Sequence, residues 1–130
     1  LSGPNIQRNI RNKYYHNTSS SLFRESLLEM KNFTVKMNGL QETTYGLAGL
    51  GDLYVSVAGG RNSKMGYYLG LGKKYQNIKR KEMKSITTEG CELALEIGPI
   101  IKKKFKRIQF PILFALIDAI CKNQKLKIKW

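Results

Sequence analysis

Apolar residues recur at helical spacing along most of the chain, which predicts a protein built from helices. Between residues 18 and 38 the apolar positions fall on one side of a helix: Leu22, Phe23, Leu27, Met30, Val35 and Met37. The hydroxyls of Thr18 to Ser21 are candidate N-caps for this helix. Asn38-Gly39 predicts its end as a left-handed C-cap.

Further helices are predicted over 63–72, around 77–83, over 88–107 and over 111–123. Pro99 is expected to kink or divide the third of these, whereas Pro111 suits the first turn of the last. The last helix is apolar on nearly every face, so we expect it to be buried. We therefore predict an all-α domain of five to seven unequal helices.

The intervening stretch 39–62 is punctuated by glycines and gives a mixed signal. Tyr54–Ala58 has the β-propensity of a strand, but no neighbouring segment is a convincing partner strand. We interpret this stretch as helical or irregular.

The length of 130 residues and the apolar fraction of 42% fit one folded domain and exclude a wholly disordered chain. Residues 1–16 are polar and basic without a clear period, so we predict a basic arm there and a helical domain over 17–130. No apolar run reaches the ~18 residues of a membrane helix, and no signal peptide is visible. The chain begins with Leu1 rather than Met, so we expect a fragment, a processed product or a trimmed chain.

The charge is strongly positive, with 23 Lys and Arg against 9 Asp and Glu and a net charge of +14. Such a field attracts phosphates, nucleic acid or acidic membranes, although compositional bias explains it equally well. Lys102–Arg107 is either an anion-binding cluster or a solvated helix end. Its one aromatic residue, Phe105, offers little stacking surface, so nucleic acid is not favoured as a partner.

The cysteine and histidine content excludes a Cys/His zinc cluster, and no metal site is predicted. Cys91 and Cys121 are the only cysteines, and His16 is the only histidine. Each cysteine has apolar neighbours, which favours two buried free thiols over a disulfide.

Two segments carry candidate chemistry. Gly46–Leu53 is dense in glycine but lacks the Lys-Ser/Thr pair of a P-loop, so it indicates close helix packing or close backbone approach to a ligand. Asp52 within it is either a turn former or a hydrogen-bonding partner for a hydroxyl or a catalytic group. Gly60–Lys64 combines an arginine, an amide and a lysine at a predicted helix start, which suits phosphate, or else forms a solvated helix cap.

The order of these segments resembles the C-terminal domain of bacterial-type NAD(P)-dependent glycerol-3-phosphate dehydrogenase, over roughly residues 17–115. The motifs that carry the resemblance are, in order, Gly46-Leu-Ala-Gly-Leu-Gly-Asp52-Leu53, Gly60-Arg61-Asn62 with Gly66, Gly70-Leu71-Gly72, Glu89-Gly90 and Pro111-Ile112. The resemblance implies an all-helical domain related to that of 6-phosphogluconate dehydrogenase. It also implies a cytoplasmic enzyme of glycerophospholipid metabolism that interconverts dihydroxyacetone phosphate and sn-glycerol 3-phosphate with NAD or NADP.

The resemblance also assigns roles to individual residues. Asp52 matches the aspartate beside the catalytic lysine and the substrate hydroxyls. Gly60, Arg61 and Asn62 match the segment that binds the substrate phosphate, and Gly60 stands where the family usually has Ser. Arg61, together with Thr87 and Glu89, is expected to approach the cofactor.

Several departures from the family shape the hypothesis. The interval from Asp52 to Arg61 is shorter than usual, and the arm 1–16 is more basic than expected. The catalytic lysine would fall just before Leu1, and no Rossmann fingerprint occurs in the chain. The sequence therefore predicts a substrate-binding half that is inactive alone and partners a missing Rossmann domain, with an exposed apolar face that favours a homodimer. The alternatives are a free-standing basic module for nucleic acid or anionic membrane, and an inactive remnant of the enzyme.

Overall fold

The computed structural model describes residues 16–129, and within this range the protein consists of seven α-helices and one π-helical segment, without β-strands. The prediction of an all-α domain is therefore confirmed. The helices are α1 (His16–Lys36), α2 (Gln41–Tyr45), α3 (Asp52–Ala58), α4 (Arg61–Gly70), α5 (Tyr75–Arg80), α6 (Glu89–Lys104) and α7 (Pro111–Cys121), and the π-helical segment is Leu47–Gly51.

Helix α7 is the centre of the hydrophobic core. Ala119 and Ile120 join a cluster with α4 and α5, whereas Phe114 and Ile117 pack with residues of α6 and with Phe110. Ile112 completes a third cluster with Leu22 of α1 and, at its edge, Ile128 of the C-terminal segment. The predicted burial of this helix is thus confirmed, because its faces contact several other elements.

The buried start of α7 is capped by a carboxylate from another helix. Glu29 of α1 accepts hydrogen bonds from the backbone N–H groups of Ile112 and Leu113 at 2.7 and 2.9 Å. First-turn N–H groups have no partner within their own helix, and a negative charge there is favoured by the helix dipole. Burial nevertheless raises the pKa of Glu29, and it outweighs the opposing effect of these two hydrogen bonds.

The buried carboxylate of Asp118 in α7 is held by three cations. Asp118 forms ion pairs with Lys102 of α6 and Arg107 of the following loop, and Lys122 lies 3.6 Å from its Oδ1. Burial, the largest single effect, opposes ionisation, but the hydrogen bonds from Lys102 and Arg107 outweigh it and lower the pKa of Asp118. The acid is therefore charged and paired, as buried charges generally must be.

Dense packing accounts for part of the glycine run. Gly49 is buried in the π-helical segment, and a Cβ there would lie 2.7 Å from the Cα of Thr44 and overlap its carbonyl group. Close packing is therefore the reason for glycine at this position of the glycine-rich segment Gly46–Leu53. The segment continues directly into α3, so Tyr54–Ala58 is helical rather than a strand.

The predicted helix ends are confirmed in places and wrong in others. Asn38 adopts a left-handed φ of 63° just after α1, as predicted for its C-cap. Thr18 to Ser21 lie inside α1, so they are not N-caps. Pro99 lies within α6, which continues through it to Lys104 instead of dividing.

Helix α3 is the least embedded element. None of its residues is buried, and Tyr54 and Val55 are largely exposed, as is Leu47 in the segment before it. Its main neighbours are that π-helical segment and α4.

Other expectations concern membranes, metals, thiols and the arm. Across residues 16–129 no helix is long and apolar enough to span a membrane, and no cluster of His, Cys, Asp and Glu can hold a metal.

Both cysteines are free in the structure, Cys91 buried and Cys121 half-buried. The predicted basic arm falls on residues 1–16, and of these only His16 lies within the described range, in α1.

Candidate functional site

The N-terminus of α4 is an open, positively charged corner of the domain. Gly60 is its N-cap with φ 106°, and the carbonyl of Gly60 accepts the first helical hydrogen bond, from the N–H of Lys64. The left-handed φ favours glycine, and nothing lies within 4 Å of the Cβ position at Gly59 or Gly60. Arg61 and Asn62 occupy the first turn, whose N–H groups have no carbonyl partner in the helix. This corner has room and donors for an anion.

Two contacts join this corner to the N-terminus of α6. Nη2 of Arg61 lies 2.6 Å from Oε1 of Glu89, and the N–H of Gly90 donates to Oδ1 of Asn62 at 3.3 Å. A Cβ at Gly90 would approach the Asn62 amide to 3.1 Å, so glycine permits the contact. The structure therefore brings together Arg61, Asn62 and Glu89, which the resemblance had assigned to substrate and cofactor binding.

The ion pair leaves most of the arginine available. Arg61 and Glu89 are both largely exposed, so their pairing contributes only about 0–1 kcal/mol to stability. A guanidinium carries five N–H donors, and only Nη2 of Arg61 is engaged with Glu89. The pair thus orients Arg61 while other donors remain for a ligand.

A groove of about 310 Å³ opens beside Asn62. Its walls include Leu53, Ser56 and Val57 of α3, Asn62, Ser63 and Met65 of α4, Gly90 and Cys91 of α6, and Leu113, Leu116 and Ile117 of α7. The groove is mainly apolar, and the side chains of Ser56, Asn62 and Ser63 add hydroxyl and amide groups to its lining. Burial raises the pKa of the Cys91 thiol, so this wall stays neutral.

The remaining candidates, Asp52 and Thr87, take no part in the contact between the starts of α4 and α6. Asp52 is the exposed first residue of α3, and its carboxylate makes no hydrogen bond or ion pair with any other residue in the 16–129 range. Its neighbour Leu53 lines the groove. Thr87 is exposed in the loop before α6, two residues from Glu89.

The bond between Asn62 and Gly90 is the part of the site that the sequence reasoning missed. Its partners are 28 residues apart and belong to different helices. The one available signal was a glycine in the first turn of a helix, which is a poor helix former there unless a neighbour needs the space. Cys91 in the groove wall was interpreted only as a buried thiol.

Comparisons with known proteins identify the family of this domain. The family model for the C-terminus of NAD-dependent glycerol-3-phosphate dehydrogenase matches residues 10–129. The chain belongs to this family, as the resemblance implied, and no solved structure is detectably similar to it.

Three relatives show the extent of the similarity. A glycerol-3-phosphate dehydrogenase [NAD(P)+] 2 of Lactobacillus delbrueckii subsp. bulgaricus is 31% identical over 109 residues, 82% of this chain and 31% of that protein. The Fusobacterium nucleatum glycerol-3-phosphate dehydrogenase [NAD(P)+] is 44% identical over 62 residues, 46% of this chain and 18% of that protein. A glycosomal glycerol-3-phosphate dehydrogenase [NAD(+)] of Trypanosoma brucei rhodesiense is 29% identical over 110 residues, 83% of this chain and 30% of that protein. The chain spans about a third of the length of the Lactobacillus and Trypanosoma relatives.

Proposed function

We propose that this chain is the substrate-binding half of an NAD(P)-dependent glycerol-3-phosphate dehydrogenase, which interconverts dihydroxyacetone phosphate and sn-glycerol 3-phosphate for phospholipid synthesis. The observation that carries the proposal is the contact between the starts of α4 and α6, through Arg61 with Glu89 and Asn62 with Gly90. The family match over residues 10–129 supports it. We further propose that the enzyme is cytoplasmic.

The substrate phosphate would bind at the start of α4. The N–H groups of Arg61 and Asn62, the positive end of the helix and the remaining guanidinium donors all favour a dianion there. Gly60 leaves the approach unobstructed, since no atom lies within 4 Å of its Cβ position. The three-carbon body of the substrate would then extend toward the groove beside Asn62.

The carboxylate of Asp52 would act on a lysine from outside this chain. Asp52 is exposed at the start of α3 and makes no ion pair within residues 16–129, so it is accessible to a facing domain. A carboxylate beside that lysine would keep it charged and oriented toward the substrate oxygen. This is a positioning role rather than a proton transfer by Asp52 itself.

The cofactor would face the exposed Arg61–Glu89 pair. Carboxylate and guanidinium groups suit ribose hydroxyls and pyrophosphate, and Thr87 adds a hydroxyl beside them. Bound NAD or NADP supplies or accepts the hydride. No strand occurs in residues 16–129, so most of the cofactor contacts would come from a separate Rossmann domain, and this chain alone is expected to be inactive.

The apolar surface of the π-helical segment and α3 would meet that partner. Leu47, Tyr54 and Val55 are 90%, 71% and 68% exposed. Exposed apolar surface of this extent favours burial against a Rossmann domain or, in its absence, against a second copy of the chain. We also propose that residues 1–16 form a basic arm and that the helical substrate-binding domain covers residues 17–130.

The first experiment is to read the gene upstream of Leu1. An open frame with a Gly-x-Gly-x-x-Gly strand–turn–helix and a Lys-Asn before this segment supports the proposal. A start codon directly before Leu1 contradicts it.

Kinetics of the complete enzyme then test the residues. Arg61→Ala should raise KM for dihydroxyacetone phosphate at least about tenfold, because a charge-assisted contact of about 1.5–3 kcal/mol is lost. Lys64→Ala, the loss of a cation one turn along α4, is the matched control and should change KM little. Asp52→Asn should lower kcat with little change in KM. Unchanged KM in the Arg61 variant would remove Arg61 from the phosphate site.

A further inference from the structure

A second cavity, of about 210 Å³, lies between one side of α7 and the C-terminal segment 122–129. Four cationic side chains line it, Arg107, Lys125, Lys127 and Lys129, together with the carboxylate of Asp118. It shares no lining residue with the groove beside Asn62. The proposed dehydrogenase function does not use this cavity.

The three lysines are held on one side of the chain by the packing of their neighbours. Residues 122–129 form no helix, and Leu126 and Ile128 pack against the core clusters while Lys125, Lys127 and Lys129 stay exposed. Exposure alternates along residues 125–129, as it does in an extended chain, where alternate residues point to the same side at a separation of about 7 Å. The apolar pair therefore anchors the segment and presents the lysines as a row.

Within residues 16–129 the positive charge of this row is not compensated by side-chain carboxylates. Asp118 is the only acid in the lining, and it already pairs with Lys102 and Arg107. No carboxylate in the described part of the chain forms an ion pair with the three tail lysines, and residues 1–15 contain no Asp or Glu. Cations that converge on a concave surface without counter-charges attract anions strongly.

We propose that this cavity binds a phosphate-class anion with two or more negative charges. Phosphate oxygens accept several charge-assisted hydrogen bonds at once, which suits a row of ammonium groups beside a guanidinium. Arg107 uses Nη2 for Asp118 and keeps other donors. A volume of about 210 Å³, or roughly seven water volumes, admits a phosphate ester or a pyrophosphate group. The group belongs either to a soluble molecule or to a phospholipid headgroup.

Calorimetric titration of the protein with sodium pyrophosphate tests the site. At about 0.15 M NaCl, long-range attraction is screened beyond about 8 Å, so local contacts dominate. We expect saturable binding at this cavity that persists in Arg61→Ala, the variant that weakens the separate phosphate site proposed at the start of α4. The double variant Lys127→Gln/Lys129→Gln should weaken it at least about tenfold, or about 1.4 kcal/mol.

The matched control is the double variant Lys36→Gln/Lys84→Gln, which removes the same charge from two exposed lysines outside the cavity. It should leave the affinity within about twofold of the starting value, because screening isolates distant charges. Equal weakening in both variants would show a protein-wide field and overturn the proposal, as would the absence of saturable binding. Unchanged circular dichroism spectra verify that both variants are folded.

Vesicle sedimentation distinguishes the two sources of the phosphate. Vesicles of equal parts phosphatidylglycerol and phosphatidylcholine are compared with phosphatidylcholine alone. The site is assigned to a headgroup if the protein binds pyrophosphate and also sediments with the anionic vesicles, and if this sedimentation is lost in Lys127→Gln/Lys129→Gln. Pyrophosphate binding without sedimentation assigns it to a soluble phosphate compound. Sedimentation without pyrophosphate binding contradicts a phosphate-sized site.

Discussion

The ion-paired Asp118 offers the sharpest test of the energetics of the core. Asp118→Asn keeps the size of the side chain and removes its charge. The Asp118 side chain is only 12% exposed, and it pairs with Lys102 and Arg107, whose side chains are 25% and 52% exposed. The substitution therefore creates no cavity but leaves Lys102, Arg107 and the more distant Lys122 without their partner.

The magnitude follows from how much water those cations retain. Breaking a fully buried ion pair costs about 3–5 kcal/mol, mainly because the remaining charge stays desolvated. Lys102 and especially Arg107 reach solvent, so we expect a smaller loss of about 2–3 kcal/mol in the free energy of unfolding. With an m-value of about 2 kcal/mol per molar urea, the unfolding midpoint should fall by roughly 1 M.

The pH dependence gives an independent signature. The pKa of Asp118 lies below its ordinary value of 3.8, because the hydrogen bonds from Lys102 and Arg107 outweigh the effect of burial. The unfolded state thus binds the proton more readily, so this stabilisation is complete above pH 3.8 and is lost as the pH falls through the lower folded pKa. The difference between the native protein and Asp118→Asn should be full at neutral pH and shrink below pH 3.8.

Urea unfolding followed by circular dichroism, at neutral pH and in acid, measures both effects. Asp52→Asn is the matched control, because it makes the same change in charge at an exposed position without an ion pair among residues 16–129, and should alter stability by less than about 0.5 kcal/mol. Equal midpoints for the two variants would refute the reasoning. A difference that is independent of pH would also refute it.

Three further predictions follow from packing, capping and burial. Gly49→Ala should destabilise the domain by more than about 3 kcal/mol in thermal unfolding, because its Cβ overlaps backbone, whereas Gly59→Ala in open space should be near neutral. Glu29→Gln should cost about 1–3 kcal/mol in urea unfolding, because one capped N–H loses its acceptor. The exposed Glu25→Gln is its control. Ellman's reagent should label Cys91 of the folded protein far more slowly than the unfolded chain, since burial raises its pKa; equal rates would contradict that burial.

The elements with strong local signals were predictable. The left-handed Asn38 and the first-turn Pro111 sit where their backbone preferences place them. Tyr54–Ala58 shows the limit of propensity, because a strand needs a partner for its backbone hydrogen bonds and this segment has none. The prediction of Thr18 to Ser21 as N-caps was wrong because serine and threonine also occur inside helices, so their presence alone does not mark a helix start.

The residues of the candidate site were predictable from the sequence, whereas the contacts between them were not. Arg61, Asn62 and Glu89 were proposed from the resemblance, and each stands at a helix start that local signals also predicted. Their mutual contact depends on the path of the chain through α5, which no local pattern encodes. The ion pairs of Asp118 were equally invisible, since a lone acid in an apolar run indicates neither its partners nor its burial.

The shallow attachment of α3 has a consequence for how the domain moves. The helix buries none of its residues, and its Leu53 lines both the groove beside Asn62 and an apolar cavity of about 300 Å³, together with Leu113 and Leu116 of α7. Little apolar contact is lost when such a helix lifts, so its amides should exchange with solvent through local opening, long before those of α7. Asp52 is therefore carried on the part of the domain that opens most readily, and a ligand that fills the groove would slow amide exchange first in α3.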